Sequence, residues 1–284
     1  MQELSRKTQH FTDSVIRRMT RIAIANNAIN LAQGFPDFDP PKAMTDRLQE
    51  ISPIGPHQYP ITMGAPNFRQ ALSRKCGRFM GRTLDPETEM VVTIGSTEAM
   101  VDTLFALTNP GDKIIMFSPY FENYRAQTLL VGCEPIFVPL VPPAFNYDAN
   151  VLEDAFRQGA KAILICNPSN PSGKVFTRAE LEQIAALAVK YDTYVIMDEV
   201  YEHIVYAPHK HIYMNSLPGM WERTVSCSSL SKTYSVTGWR LGYAIAPENI
   251  MARIRQYHDF NAVGCPSPLM EAAVVGLNMP LSYY

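Results

Sequence analysis

Lys232 and Asp198 are the side chains whose type and setting point most directly to chemistry. The stretch SSLSKTYSVTGWR (228–240) puts Lys232 just past a strand-forming run, among small hydroxyl residues and eight positions before Arg240. A lone lysine is normally a solvated surface charge, but this one follows strand-end serines instead of lying on a charged helix face. Such a lysine can form an imine with a carbonyl compound if its amine loses a proton at working pH. Asp198 directly follows the apolar run YVIM (194–197). A carboxylate there is expected to be at least partly buried and to need a partner. Taken alone it reads as the N-cap of a helix over EVYEHIVY. Beside an imine-forming lysine, the catalytic reading takes precedence.

The elements that must position these residues show in the alternation of short apolar runs with helical patterns. MVVTI (90–94), KIIMF (113–117), PIFVPL (135–140), AILIC (162–166), YVIM (194–197), TVSCS (224–228) and LGYAIA (241–246) read as strands. Between them lie helical stretches, one carrying Met100, Leu104 and Leu107. Another opens at Thr177, where Thr177 and Glu180 form a T-x-x-E capping box ahead of Leu181, Ile184 and Ala188. Nearly all-apolar strands separated by helices predict an α/β fold, a three-layer sandwich around a mostly parallel sheet. In such sheets ligands bind beyond the carboxyl ends of the strands. The residues that follow the runs are Gly95-Ser96-Thr97, Ser118 to Phe121, Asn167 to Asn170, Asp198-Glu199 and Ser228 to Lys232. They supply hydroxyls, an amide, an aromatic ring, a carboxylate and a lysine, but not the His/Cys cluster a metal enzyme uses. Nearer the N-terminus, Val15, Ile16, Met19, Ile22 and Ala23 recur at helical spacing from about Thr12 to Ala25, with Arg17, Arg18 and Arg21 on the solvated side. This predicts an amphipathic packing helix ended by Asn26-Asn27.

Composition narrows the classes. With 25 basic and 27 acidic residues the formal charge is −2, which gives no electrostatic case for a nucleic-acid partner. Hydrophobic residues make up 46% and charged residues 18% of the 284, as in a folded globular chain. The five cysteines are scattered without a C-x-x-C pair, which disfavours a disulfide framework or structural zinc and fits a reducing cytoplasm. No apolar run is long enough to span a bilayer, and MQELSRKTQHFTDS lacks a signal-peptide core. Gly173-Lys174 lacks the upstream glycine of a P-loop. Cys166 and Cys227 read as core residues. The polar loop of His209 and His211 is a poor metal site, and Tyr120 reads as interface or core as readily as function.

Seven segments together carry a resemblance. INLAQGFPDFDPP (29–41), HQYPITMGAPNFRQAL (57–72), TIGSTEAM (93–100), SPYFENY (118–124), NPSNPSGK (167–174), DEVYEH (198–203) and SSLSKTYSVTGWRLGYAIAP (228–247) occur in order over nearly the whole chain. The sequence resembles the fold-type-I pyridoxal-phosphate aminotransferases, class I/II, and within them the kynurenine, glutamine–phenylpyruvate and methionine aminotransferase branch. The resemblance implies transamination between an L-amino acid, aromatic or sulfur-containing, and a 2-oxo acid, with pyridoxal 5′-phosphate as cofactor. Lys232 would hold the cofactor as a Schiff base and shuttle the substrate proton. Asp198 would keep the pyridine nitrogen protonated, Tyr201 and Asn170 would bond the phenolic oxygen, and Phe121 would stack on the ring. Gly95, Ser96 and Thr97 would meet the phosphate at a helix start, completed by Ser229 and Arg240. Tyr59 would reach the phosphate of a neighbouring subunit, implying a homodimer, and Pro119 and Pro171 would follow cis peptide bonds. Gly34 would approach the substrate carboxylate, with Phe35, Tyr59 and Tyr124 as pocket walls.

The resemblance also divides the chain into an arm, residues 1–35, on the small-domain side and a cofactor-binding large domain, residues 36–284. Relatives continue past LSYY into a small domain whose arginine pairs with the substrate α-carboxylate. The expectation for the polypeptide as written is therefore cofactor binding with poor transamination, a loss of about a few kcal/mol in substrate binding. Cleavage of cysteine conjugates by a β-lyase, or cofactor binding without turnover, are the alternative outcomes.

Overall fold

The apolar runs do become strands, and one twisted sheet collects all of them. A computed structural model describes residues 2–9, 11 and 13–284. In chain order the elements are α1 (Val15–Ala25), α2 (Lys42–Ile51), α3 (Pro66–Met80), β1 (Met90–Ile94), α4 (Gly95–Leu107), β2 (Lys113–Ser118), α5 (Glu122–Leu130), β3 (Glu134–Pro139), α6 (Ala149–Arg157), β4 (Ala160–Cys166), α7 (Arg178–Lys190), β5 (Tyr194–Asp198), β6 (Thr224–Ser229), β7 (Leu241–Ile245), α8 (Glu248–Asn261) and α9 (Ser267–Leu277). The sheet order is β1-β7-β6-β5-β4-β2-β3. Strands β2 to β6 pair in parallel, whereas β7 runs antiparallel to both β1 and β6.

Alternation along the strands assigns the two faces. Val91, Ile114 and Met116 point into a core shared with α4, α5 and α8. Their neighbours Met90 and Val92 pack under α3 and α9, and Ile115 and Phe117 under α6 and α7. Helices thus cover both faces, and every strand except the edge strand β3 is buried through its centre, which explains the continuous apolar composition. Local signals set several boundaries. Thr177 and Glu180 make both capping-box bonds at the start of α7. Gly81, with φ of 69°, ends α3 in the left-handed conformation that glycine adopts freely. No helix of the described residues is long and apolar enough to cross a membrane.

Two expectations need correction. Helix α1 starts at Val15, capped by Ser14, whose hydroxyl accepts the Arg17 N–H; Thr12 lies outside the described residues. Its apolar side is not packed as expected. Val15, Met19 and Ile22 are exposed and Ala23 is its buried residue. The segment after Asp198 forms turns rather than a helix. Asp198 closes β5 and has no helix to cap.

Candidate active site

The sheet order explains why the site residues meet. Strands β1, β2, β4, β5 and β6 end at one edge of the sheet, and Asp198 sits there in register with Cys166 of β4 and Cys227 of β6. Because β7 is antiparallel, its beginning lies at that same edge, with Ile94 opposite Leu241. Arg240, one residue earlier, therefore reaches the start of α4. A cleft of about 470 Å³ opens over this edge, with Lys232, Asp198, Tyr201 and Asn170 in its wall.

At one end of the cleft the backbone forms a cup. Helix α4 begins at Gly95 with no side-chain cap from Ile94, so first-turn N–H groups are left for an anion. Gly95 has φ of 72°, and a Cβ there would collide with the Arg240 guanidinium. A Cβ at Gly242 would strike the Gly95–Ser96 backbone. Both glycines are thus required by close approach of the arginine and of β7 to the helix start. Ser96, Thr97 and Ser229 line the cleft beside Arg240, and one guanidinium nitrogen of Arg240 is steadied by the Thr237 carbonyl at 3.0 Å.

In the middle of the cleft, buried Asp198 accepts the Tyr124 hydroxyl at 2.6 Å and the Val200 N–H at 3.3 Å. Burial pushes its pKa up to about 6, against the two hydrogen bonds that favour the ionised form. A buried carboxylate in that position gains most from a cationic neighbour. Lys232 is half-buried, donates to the Gly34 carbonyl at 2.9 Å and lies 5.7 Å from the Tyr201 ring centre. Burial lowers its pKa and Arg240 adds to the effect, against the pull of Asp198. The amine is thereby made easier to deprotonate. Buried Lys75 differs. Lys75 is also desolvated, but its ion pair with Glu202 outweighs burial and raises its pKa. Tyr201 is pushed up to about 12, chiefly by burial, and so keeps its proton as a donor.

The remaining expected residues are placed unevenly. Phe121 lines the cleft and meets Tyr124 edge-on at 5.6 Å. Gly34 reaches the cleft, with its carbonyl facing Lys232. Tyr124 lines the cleft, although it is 3% exposed and its hydroxyl is committed to Asp198. Phe35 is 61% exposed and does not line the cleft. Tyr59, 88% exposed, lies outside this cleft, on a separate surface hollow with Ile94 and Val263. The Ser118–Pro119 and Asn170–Pro171 bonds are cis.

Three features were not singled out in sequence. Arg17 and Gln33 line the cleft, although the spacing of α1 puts Arg17 on its solvated side. The Ser14 hydroxyl bonds Glu122, fastening α1 to α5. A buried group, Glu98, Asp102 and His258, assembles beneath the α4 start with its ligand-type atoms within 4.8 Å of one another. Glu98 belongs to TIGSTEAM, but nothing local marks His258 as its partner 160 residues away.

A family model described as aminotransferase class I and II matches residues 26–283. Kynurenine–oxoglutarate transaminase 3 of Mus musculus is 35% identical over 279 residues, which cover 94% of this chain and 61% of that relative. The chain spans about three fifths of the length of such curated relatives. Among solved structures, N-succinyldiaminopimelate aminotransferase from Mycobacterium tuberculosis superposes with a TM-score of 0.94 at 33% identity, covering 99% of this chain and 74% of its own. The Escherichia coli protein YbdL, identified with a methionine aminotransferase function, gives 0.93 at 31% identity, covering 100% and 74%.

Proposed function

Because the chain belongs to the aminotransferase class I and II family, which uses pyridoxal 5′-phosphate, we propose that its cleft holds this cofactor on Lys232 and serves amino-group exchange between an L-amino acid and a 2-oxo acid. The observation that carries the reading is the convergence in one cleft of three groups. These are a half-buried lysine of lowered pKa, a buried carboxylate, and a helix start backed by an arginine. The residues fit the cofactor. The Gly95–Arg240 cup suits a phosphate, since forked guanidinium contacts match phosphate oxygens. Asp198 suits a protonated ring nitrogen, and Tyr201 with Asn170 suits a phenolic oxygen.

When bound, the cofactor supplies an electron-withdrawing ring that accepts negative charge from the substrate Cα. Lys232 would hold the cofactor through its Nζ and, when that amine is free, would take the proton from the substrate Cα as a general base. Asp198 holds a proton at the ring nitrogen, and Tyr124 keeps the carboxylate oriented. Phe121 limits ring tilt. Arg17 is the cation on the α1 side of the cleft, where a substrate carboxylate can meet it. Residues 1–35 act as an arm over the cleft and 36–284 as the cofactor-carrying unit. Tyr59, exposed and outside its own cleft, serves the phosphate site of a second copy in a homodimer.

The relatives suggest aromatic, sulfur-containing or dicarboxylic amino acids as substrates. The test is to load the protein with pyridoxal phosphate and add methionine, kynurenine or N-succinyldiaminopimelate in turn. Conversion of the cofactor to its pyridoxamine form with release of the matching 2-oxo acid is expected. Pyruvate and ammonia from a cysteine conjugate, without the pyridoxamine form, would instead indicate a β-lyase. Retention of cofactor without reaction would indicate a binding module.

Two further outcomes follow from the cleft. Gly95→Ala, which drives a methyl group against Arg240 at a left-handed φ, is expected to weaken pyridoxal phosphate binding at least about tenfold; equilibrium dialysis measures it. The second concerns Asp198 without cofactor. Its folded pKa of about 6 lies above the ordinary 3.8, so the folded state binds this proton more tightly than the unfolded state. Stability from this group is unaffected below about pH 4 and is lost as pH rises toward 6. Asp198→Asn should therefore stabilise the cofactor-free protein at pH 7.5, by at most about 3 kcal/mol. The gain should vanish near pH 4, as read by urea unfolding at both values.

A further inference from the structure

The buried group beneath the α4 start has a function of its own. His258 of α8 is 1% exposed. Its Nδ1 lies 3.0 Å from Glu98 Oε1 and 3.4 Å from Asp102 Oδ2, both on α4 and one helical turn apart. Its Nε2 lies 2.8 Å from the Thr62 carbonyl oxygen. A carbonyl only accepts, so Nε2 must carry a hydrogen. Nδ1 faces two carboxylate oxygens, which also accept. Hydrogens on both nitrogens give each an acceptor, Glu98 Oε1 for Nδ1 and the Thr62 carbonyl for Nε2, with Asp102 Oδ2 as a nearby charge; this makes the ring an imidazolium. The pKa of His258 agrees: burial lowers it, but Asp102 and Glu98 outweigh burial and carry it up to about 10.

What the ring ties together lies at the phosphate end of the cleft. The second oxygen of Glu98 accepts the N–H of Ile94, the residue before Gly95, so Glu98 fixes the turn that presents Ser96 and Thr97. Thr62 follows Tyr59 by three residues. The loop of Tyr59 is pinned on its other side by Ser267, whose hydroxyl donates to the Gln58 carbonyl at 2.7 Å. Asn261, at the end of α8, donates to Asp102 Oδ1 at 3.1 Å and holds that carboxylate in place. A single charged ring thus joins three segments: the first turn of α4, helix α8 and the loop of Tyr59.

We propose that His258, as an imidazolium, is a positioning residue for the cofactor phosphate, fixing the Ile94–Thr97 turn through Glu98 and the Tyr59 loop through Thr62. The inference rests on the cofactor reading above. The same three groups have the donor chemistry to bind a cation, but a ring protonated on Nδ1 cannot ligate one there, so ring protonation separates the two roles.

The test compares pyridoxal phosphate with pyridoxal, which lacks the phosphate. In His258→Gln and in Glu98→Gln the dissociation constant of pyridoxal phosphate should rise tenfold or more, with that of pyridoxal changed less than twofold. Equal changes for both ligands, or no change for pyridoxal phosphate, would overturn the proposal and leave a structural ion pair. Should neither variant fold, ¹⁵N NMR of the wild-type ring at pH 7.5 decides. Hydrogens on both nitrogens support the proposal, and a neutral ring contradicts it. Wild-type protein that binds no pyridoxal phosphate would overturn the cofactor reading and this proposal together. Wild-type binding with an unaltered variant preference would overturn this proposal alone.

Discussion

Lys232→Ala should lose covalent retention of pyridoxal phosphate and slow amino-group transfer by about a thousandfold or more, the loss expected for a missing proton carrier alone. Lys232 is both the attachment point and the base, so both properties should disappear together. Its half-buried amine, lowered in pKa by burial and by Arg240, is the one the cleft prepares for attack. Lys75 cannot substitute, being locked in an ion pair with Glu202 away from the cleft. Cofactor content after gel filtration and single-turnover rates with an amino acid measure the two losses. Retention of the cofactor at full stoichiometry by the variant would refute the assignment.

Asp198→Asn should behave differently. The lysine remains, so covalent retention should survive, whereas proton removal from the substrate should slow by about a hundred- to a thousandfold. That is the range for removing one preorganised electrostatic partner from a buried site. The same substitution is expected to stabilise the cofactor-free protein at neutral pH, because burial of the wild-type carboxylate outweighs its hydrogen bonds and the charge of Lys232. Opposite signs for stability and rate are the signature of a group held in place for function at some cost to the fold. A variant with unchanged single-turnover rate would remove Asp198 from the mechanism.

The strands and the polar residues at their ends were legible because strand burial is written locally, in runs of four to six apolar residues bounded by turn formers. The capping box of α7 was legible for the same reason. The helix-cap reading of Asp198 taken alone does not hold, since local sequence cannot show that EVYEH turns away from helical geometry at a strand end. The Tyr124–Asp198 and Glu98–His258 contacts join residues 74 and 160 positions apart. They depend on sheet order and on α4 packing against α8, which no periodicity encodes. Arg17 reads as a surface charge in any helical projection. Long-range contacts such as Ser14 with Glu122 and Thr20 with Gln33 hold α1 where Arg17 lines the cleft. The exposed apolar side of α1 shows the reverse case, a clear amphipathic pattern whose packing partner its spacing does not specify.

Borohydride reduction of the wild-type protein with pyridoxal phosphate, followed by mass mapping, puts the greatest weight on one residue. A stoichiometric label confined to the peptide containing Lys232 is the predicted result. A label spread over surface lysines, or concentrated on another peptide, would contradict the account.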